Sequence, residues 1–341
     1  MGSHLTIVTT VMMKPAIPHT EIKAALYNYW NEWQALIQSV TQPLTPIPTD
    51  TEARIAPLAG IKAVVFDIYG TLLISGSGEV GSATNAAHTA DAPARLAKAF
   101  SFAHAFDTIG VTPSNSFEKF NEVCTKLYMG TIKSRHADLR QAGIDYPEVH
   151  ILDIWQRIWY ELEETRHTEL DAYRLIKLAL EYELSANPTW LMPHTAPTLR
   201  NLSQAGFPLG IVSNAQFYTP LIIETLCGTS LEATGFQSDL LVWSYQLGRA
   251  KPSTRMFDPL LDTLKKGYAI SPNEVLYVGN DMLNDIYTAS ACGCKTALFA
   301  GDRRSLRLRV ENSLVQSLQS DAIISDISQL QQLLELSHAK E

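Results

Sequence analysis

The stretch Lys62-Ala63-Val64-Val65-Phe66-Asp67-Ile68-Tyr69-Gly70-Thr71-Leu72-Leu73 constrains the fold more than any other. Ala63 to Phe66 run straight into a carboxylate, and a Gly-Thr pair follows. An apolar run this short, rich in β-branched residues and ended by a glycine, reads as a strand buried on both faces. Asp67 then stands at the carboxyl end of that strand, where open α/β sheets place their ligands. A carboxylate is costly to bury there without a partner, so the rest of the chain has to supply one.

From Pro193 onward strands alternate with helices, the signature of parallel winding. Leu209-Gly210-Ile211-Val212 ends at Ser213-Asn214, Leu240-Leu241-Val242-Trp243 ends near Ser244, and Val275-Leu276-Tyr277-Val278 ends at Gly279-Asn280-Asp281. Thr296-Ala297-Leu298-Phe299, a short strand Ala322-Ile323-Ile324 and a closing helix from Ile327 to Leu336 complete the pattern. Between these strands and the first lies a run of helical periodicity, in Pro93 to Ile109, Ser116 to Arg140, Ile151 to Thr165 and Leu170 to Leu184. It follows a mobile-looking Ser75-Gly76-Ser77-Gly78 link, and no convincing strand interrupts it. The expected architecture is α/β: a Rossmann-like parallel sheet core (61–80 and 190–341), an inserted all-helical cap (81–189) and an N-terminal helical extension (1–60).

That extension carries Ile22, Leu26, Tyr29, Trp30, Trp33, Leu36 and Ile37 at helical spacing over Glu21 to Val40, which predicts one amphipathic helix. Its aromatic stripe is expected to dock on the protein's own body or on a second copy, giving a homodimer. Pro43, Pro46, Pro48 and Pro57 mark an irregular linker into the first strand. Met1-Gly2-Ser3-His4 reads as a cloning remnant.

With 27 Lys and Arg against 35 Asp and Glu, the net charge of −8 disfavours nucleic acid as a partner. No apolar run reaches membrane-spanning length and no secretory pattern opens the chain. The 4 cysteines, Cys124, Cys227, Cys292 and Cys294, show no CxxC spacing or disulfide framework, the usage of a reducing compartment. A cytoplasmic location and no membrane partner are expected.

Each strand delivers a useful residue at its carboxyl end or in the loop beyond: Asp67, then Ser213 and Asn214, then Lys251, then Asp281 and Asp285. In a parallel sheet those ends converge on one crevice. Three carboxylates, a lysine and a hydroxyl suit a nucleophile beside a divalent cation and a small anionic substrate. The cation offsets carboxylates whose repulsion would otherwise raise their pKa values, and Mg²⁺ is the natural oxygen-seeking choice. Lys251 would hold the nucleophile and a transferred phosphoryl group, and Ser213 would donate a hydrogen bond.

The order of these motifs resembles the haloacid dehalogenase superfamily: Asp-x-x-Gly-Thr, Ser-Asn, Lys-Pro and Gly-Asn-Asp-x-x-Asn-Asp, from about Ile61 to the C-terminus. The resemblance implies a Rossmann-like core with a helical cap inserted after the first motif. It implies that Asp67 attacks the substrate covalently, that Ser213, Asn214 and Lys251 meet the transferred group, and that Asp281 joins Asp67 on Mg²⁺. By the same resemblance Asp285 orients metal-bound water, and the backbone carbonyl of Tyr69 is a further Mg²⁺ ligand.

One position departs from the phosphatases of that superfamily. The residue two beyond the nucleophile is usually a second aspartate serving as general acid and base; here it is Tyr69. Losing a general acid costs roughly 10²–10⁴-fold in rate. Asp-x-Tyr-Gly-Thr is what the metal-independent 2-haloacid dehalogenases carry, whereas Asp281 to Asp285 is the acidic, metal-holding form of the fourth motif. A Mg²⁺-dependent phosphatase of a small phosphorylated metabolite is therefore expected, with a 2-haloacid dehalogenase as the alternative. A weakly active binding protein on the same fold is a third reading. In the expected cap, His136 and Arg140 lie one helical turn apart; pointed at the crevice they would read an anionic substrate, and His136 would replace the missing acid. Arg303, Arg304, Arg307 and Arg309 are expected to form a surface face or interface.

Overall fold

The computed structural model describes residues 16–78, 116–162 and 170–336; the expected helix from Pro93 to Ile109 lies outside them. Six parallel strands form the main sheet: β1 (Ala63–Phe66), β4 (Leu209–Ser213), β5 (Phe236–Trp243), β6 (Val275–Gly279), β7 (Lys295–Phe299) and β8 (Ala322–Ile324). Their order is β5-β4-β1-β6-β7-β8. From β1 the chain builds outward through β4 and β5, then returns to the other side for β6, β7 and β8. The switch of direction flanks β1, so Asp67 emerges at the crevice such sheets use for ligands.

The apolar run of β1 is explained by the two layers it feeds. Val64 and Phe66 join a core with Ile211, Leu276 and Val278. Ala63 and Val65 face the other way, into a core with Val212, Val275, Tyr277, Phe257 and Leu260. Successive side chains alternate sides, and both sides are covered by helix, so no position on β1 is left for a polar residue. On one face lie α6 (Thr195–Gln204) and α7 (Tyr218–Cys227), and on the other α8 (Asp258–Gly267).

The helical insertion contributes α3 (Ser116–Gln141), α4 (Ile151–Leu162) and α5 (Ala172–Ala186). Tyr128, Trp155 and Tyr182 meet with ring centroids 4.8–5.2 Å apart, the offset and edge contacts that aromatic rings favour. Below it, β2 (Leu73–Ser75) pairs antiparallel with β3 (Thr189–Leu191) and closes the two chain crossings. Three-residue strands are too short to declare a period, so the sequence hides this ribbon. The link beyond it is pinned rather than loose: Asn187 Oδ1 accepts from Ser75 Oγ, Ser77 N and Ser77 Oγ, and Gly76 N donates to the Pro188 carbonyl. On the core side Gln216 clamps the start of α4, accepting from Ile151 N at 2.9 Å and donating to the Val149 carbonyl at 2.8 Å.

The expected N-terminal helix is two helices, α1 (His19–Asn28) and α2 (Trp30–Val40), broken where Tyr29 leaves helical geometry and packs edge-on against Tyr173 at 4.7 Å. Ile22, Ala25, Trp33 and Ile37 are buried against α5 and α7. Part of the stripe thus packs on the chain's own body, while Tyr29 and Tyr27 stay exposed. The proline-rich linker then runs along the sheet edge, where Arg54 bridges to Ile323 and Thr49 Oγ1 donates to the Ala300 carbonyl. The closing helix is shorter than expected, a 3₁₀ turn Ile327–Gln329 followed by Leu330–Leu333. Among the described residues no helix is long and apolar enough to cross a membrane.

Candidate active site

The turn after β1 folds back on itself, with Thr71, Leu72 and Leu73 amides all directed at the Ile68 carbonyl. Gly70 sits at φ 83°, and a Cβ there would collide with Asn280 and Ser305. Only glycine allows the loops after β6 and β7 to close on this turn. Asn280 is the rivet: its Oδ1 accepts from Thr71 Oγ1 at 3.0 Å and its Nδ2 donates to the Ser305 carbonyl at 2.7 Å.

Inside this frame Asp67 is buried, and its two oxygens differ. Oδ1 accepts from Ser213 Oγ at 2.9 Å and from Lys251 Nζ at 2.8 Å. Among the described residues no donor reaches Oδ2. Lys251 Nζ also donates to Asp285 Oδ1 at 2.6 Å and to Tyr277 Oη at 2.9 Å. Burial alone would push the Lys251 ammonium down; the Asp285 and Asp67 carboxylates overcome it and hold the ammonium above the ordinary lysine value. Burial drives the Asp285 carboxyl up, Lys251 pulls it back, and the Asp67 and Asp281 charges push it further. Asp285 Oδ2 accepts from the Asp281 amide at 2.9 Å. Its carboxyl packs over Gly279, which leaves no room for a Cβ there.

Asp281 caps the turn Met282–Tyr287 through Oδ1, which accepts from the Leu283 and Asn284 amides. Its Oδ2 accepts from Asn284 Nδ2 at 3.1 Å and from Arg309 Nη2 at 2.7 Å. The arginine run is therefore a solvated face only at Arg303, whose side chain is exposed beside Asp50. Arg304 is paired with the buried Asp302, Arg307 donates to the carbonyls of Arg304, Leu306 and Gly78, and Arg309 enters the crevice. Isolated bridge pairing of Asp281 with Arg307 explains how a residue so far along the chain arrives there.

Sequence-expected residues thus separate into two groups. Asp67, Ser213, Lys251, Asp281 and Asp285 come together. Asn214 lies beside them, and its side chain clamps the main chain of Lys251, accepting from its amide at 2.7 Å and donating to its carbonyl at 3.2 Å. Tyr69 turns its hydroxyl to Thr219 Oγ1 at 3.1 Å, and burial, with the nearby Glu183 charge, pushes the phenol far above its ordinary value. It keeps its proton and is no substitute acid. His136 and Arg140 have no described contact with the crevice; burial and then Arg140 push the imidazole below its ordinary value. Asn280, Tyr277 and Arg309 were not expected. Arg309 left a signal as part of a basic run and Asn280 as part of the Gly-Asn-Asp motif, whereas Tyr277 left none.

Among the described residues no three carboxylate, imidazole or thiolate side chains are arranged around one point for a metal ion. Asp285 is held by Lys251 through Oδ1 and by the Asp281 amide through Oδ2. The Asp67 and Asp281 carboxylates remain, joined by the Tyr69 carbonyl only on the resemblance described above. Mg²⁺ is commonly held by one or two carboxylates, with water and substrate oxygens completing its shell, so this donor set fits a hard divalent cation.

A profile of haloacid dehalogenase-like hydrolases matches residues 61–293. Phosphoglycolate phosphatase of Escherichia coli K12 is 35% identical over 112 residues, which are 33% of this chain and 40% of that protein. The Salmonella choleraesuis enzyme of the same name is 33% identical over the same shares. The chain thus spans well under half the length of these curated relatives. Among solved structures, a phosphatase from Thermococcus onnurineus aligns at TM-score 0.46 and 19% identity over 80% of this chain and 98% of that one. A 2-haloacid dehalogenase from Pseudomonas syringae aligns at 0.45 and 19% over 81% and 98%.

Proposed function

Since the chain belongs to the haloacid dehalogenase-like hydrolases, we propose that it hydrolyses a small phosphate monoester through a covalent intermediate on Asp67, with Mg²⁺ as cofactor. The observation that carries the reading is the asymmetry of Asp67. One oxygen is fixed by a hydroxyl and an ammonium, and the other is left without a described donor. A carboxylate held this way keeps its negative charge on the attacking oxygen and its geometry fixed.

In the first step Asp67 Oδ2 forms a bond to phosphorus as the ester oxygen leaves. Ser213 and Lys251 hold Oδ1, and Lys251 offsets the charge of the group being transferred. Asp67 and Asp281, with the Tyr69 carbonyl, would hold Mg²⁺, which when bound would offset the negative charge of the phosphoryl oxygens. In the second step water displaces Asp67 from phosphorus, releasing inorganic phosphate. Tyr69 supplies no proton to the leaving oxygen, so the first step favours substrates whose leaving group needs little protonation. The name of the relatives, phosphoglycolate phosphatase, supports a small anionic phosphate ester over a macromolecular one.

The test is hydrolysis of p-nitrophenyl phosphate and of 2-phosphoglycolate, with and without a chelator. Activity that ignores the chelator, or survives Asp67→Asn, sinks the reading. A second reading, dehalogenation of a 2-haloacid, is favoured by Tyr69 and by the Arg309 guanidinium on Asp281. Displacing halide needs no proton donor, and an arginine neutralises Asp281 without a metal. Halide release from 2-chloropropionate in chelator, with no phosphatase activity, would establish it instead.

A further inference from the structure

Of the four arginines in the run after β7, Arg309 alone among the described contacts reaches a carboxylate of the crevice. Nη2 lies 2.7 Å from Asp281 Oδ2, and Nε lies 3.2 Å from Oδ2 and 3.3 Å from Oδ1. Its backbone sits at φ 51°, a left-handed conformation uncommon outside glycine and often found where function holds it. The flanking Leu308 and Val310 are exposed, Val310 at 65%. The loop therefore leaves two apolar side chains in water while sending its cation inward.

The oxygen that Arg309 holds is the one a metal ion needs. Asp281 Oδ1 is committed to the amides of Leu283 and Asn284. A cation ligated by Asp281 has to use Oδ2 and displace the guanidinium, whose side chain is 35% exposed and has water to move into. We propose that Arg309 is a resident counter-cation that competes with the divalent metal for Asp281, so the metal enters by exchange. The proposal rests on the metal-dependent reading above. It makes metal affinity weaker than the donor set alone would give, and makes Arg309 a positioning residue for Asp281 until the ion arrives.

The test uses the full chain and Mg²⁺ alone, titrated by calorimetry and by thermal shift. Arg309→Gln should tighten Mg²⁺ binding roughly five- to tenfold, the usual scale of coupling between two competing events. It should also melt lower than the unmodified chain in chelator and gain more from saturating Mg²⁺. Arg309→Lys, which keeps charge but loses the planar fork, should fall between and serves if the glutamine variant does not fold. Arg303→Gln, on the exposed pair with Asp50, removes the same charge elsewhere and should leave Mg²⁺ affinity unchanged. Equal affinity in Arg309→Gln and the unmodified chain, or weaker affinity in the variant, overturns the proposal while leaving a Mg²⁺-dependent phosphatase intact. Absence of Mg²⁺ binding in every variant, together with no phosphatase activity, overturns the functional reading and this proposal with it.

Discussion

Lys251→Met removes one buried charge, keeps the side-chain length, and strands two carboxylates. The ammonium lies 2.8 Å from Asp67 and 2.6 Å from Asp285, with all three side chains under 10% exposed. At an effective dielectric constant of about 20, each contact is worth about 6 kcal/mol. Desolvation of the three ions offsets several kcal/mol apiece, so the intact cluster is close to neutral as a net contribution. Removing one partner is different, because the desolvation of the others is no longer compensated; the expected loss is about 3–5 kcal/mol. Asp285→Asn alone leaves a one-to-one Lys251–Asp67 pair and should cost about 1–3 kcal/mol. In the double variant only Asp67 stays charged, so the combined loss should fall short of the sum by about 2–3 kcal/mol. Urea unfolding at pH 7.5 in chelator measures all four corners. A loss under about 1 kcal/mol for Lys251→Met, or strict additivity with Asp285→Asn, would refute the reasoning.

Tyr69→Asp restores a carboxyl group two residues beyond the nucleophile and should raise Mg²⁺-dependent turnover of alkyl phosphates by at least about 10²-fold, the low end of general-acid contributions. Unchanged turnover would mean that proton supply is not the missing part. Glu183 is fully buried, accepting from Tyr218 Oη and Asn187 Nδ2, and burial pushes its carboxyl up against those two hydrogen bonds. A raised folded pKa means the folded chain holds a proton the unfolded chain has lost, so stability falls as pH rises through that window. Glu183→Gln should therefore gain on the unmodified chain between pH 4.5 and pH 8, read as the difference in melting temperature; a flat difference contradicts it. Trp33, buried between α1, α2 and Tyr173, should cost about 3–5 kcal/mol when cut to alanine. A loss near zero in urea unfolding would mean that the N-terminal helices fold apart from the core.

The sheet was legible because its strands have no polar face. Alternate residues of β1 enter two separate cores, so the sequence reads as an unbroken apolar run ended by Asp67. The four strand-end groups were legible for the same reason, each following such a run. What the sequence concealed was contact between loops. Asn280 looks like a spare polar residue before the aspartate, and nothing in its spacing announces that it ties Thr71 to Ser305. Arg309 looks like one of four surface cations until the bridge between Asp281 and Arg307 brings it round. Asn214 and Lys251 are 37 residues apart, and their amide clamp exists only in the folded chain. The break at Tyr29 has no proline or glycine to signal it; its cause is a ring contact with Tyr173, 144 residues away.

The charges at the crevice carry one more consequence. Asp67, Asp281 and Asp285 face two cations, Lys251 and Arg309, so with every group ionised one negative charge is left over. A divalent ion added beside Arg309 would leave one positive charge instead, whereas exchange of Arg309 for the ion leaves the cluster neutral. A phosphate dianion alters that balance, because it brings enough negative charge for the metal, Arg309 and Lys251 all to remain nearby. Metal and phosphate should then assist each other's binding, and by linkage the effect must be mutual. Inorganic phosphate near saturation should lower the Mg²⁺ midpoint of the unmodified chain by roughly fivefold or more. The shift should be smaller in Arg309→Gln, which has no displaced cation for the anion to accommodate. Calorimetric Mg²⁺ titrations with and without phosphate, corrected for the weak pairing of the two ions in solution, measure both. A midpoint indifferent to phosphate in the unmodified chain would show that charge balance at this crevice does not govern metal entry.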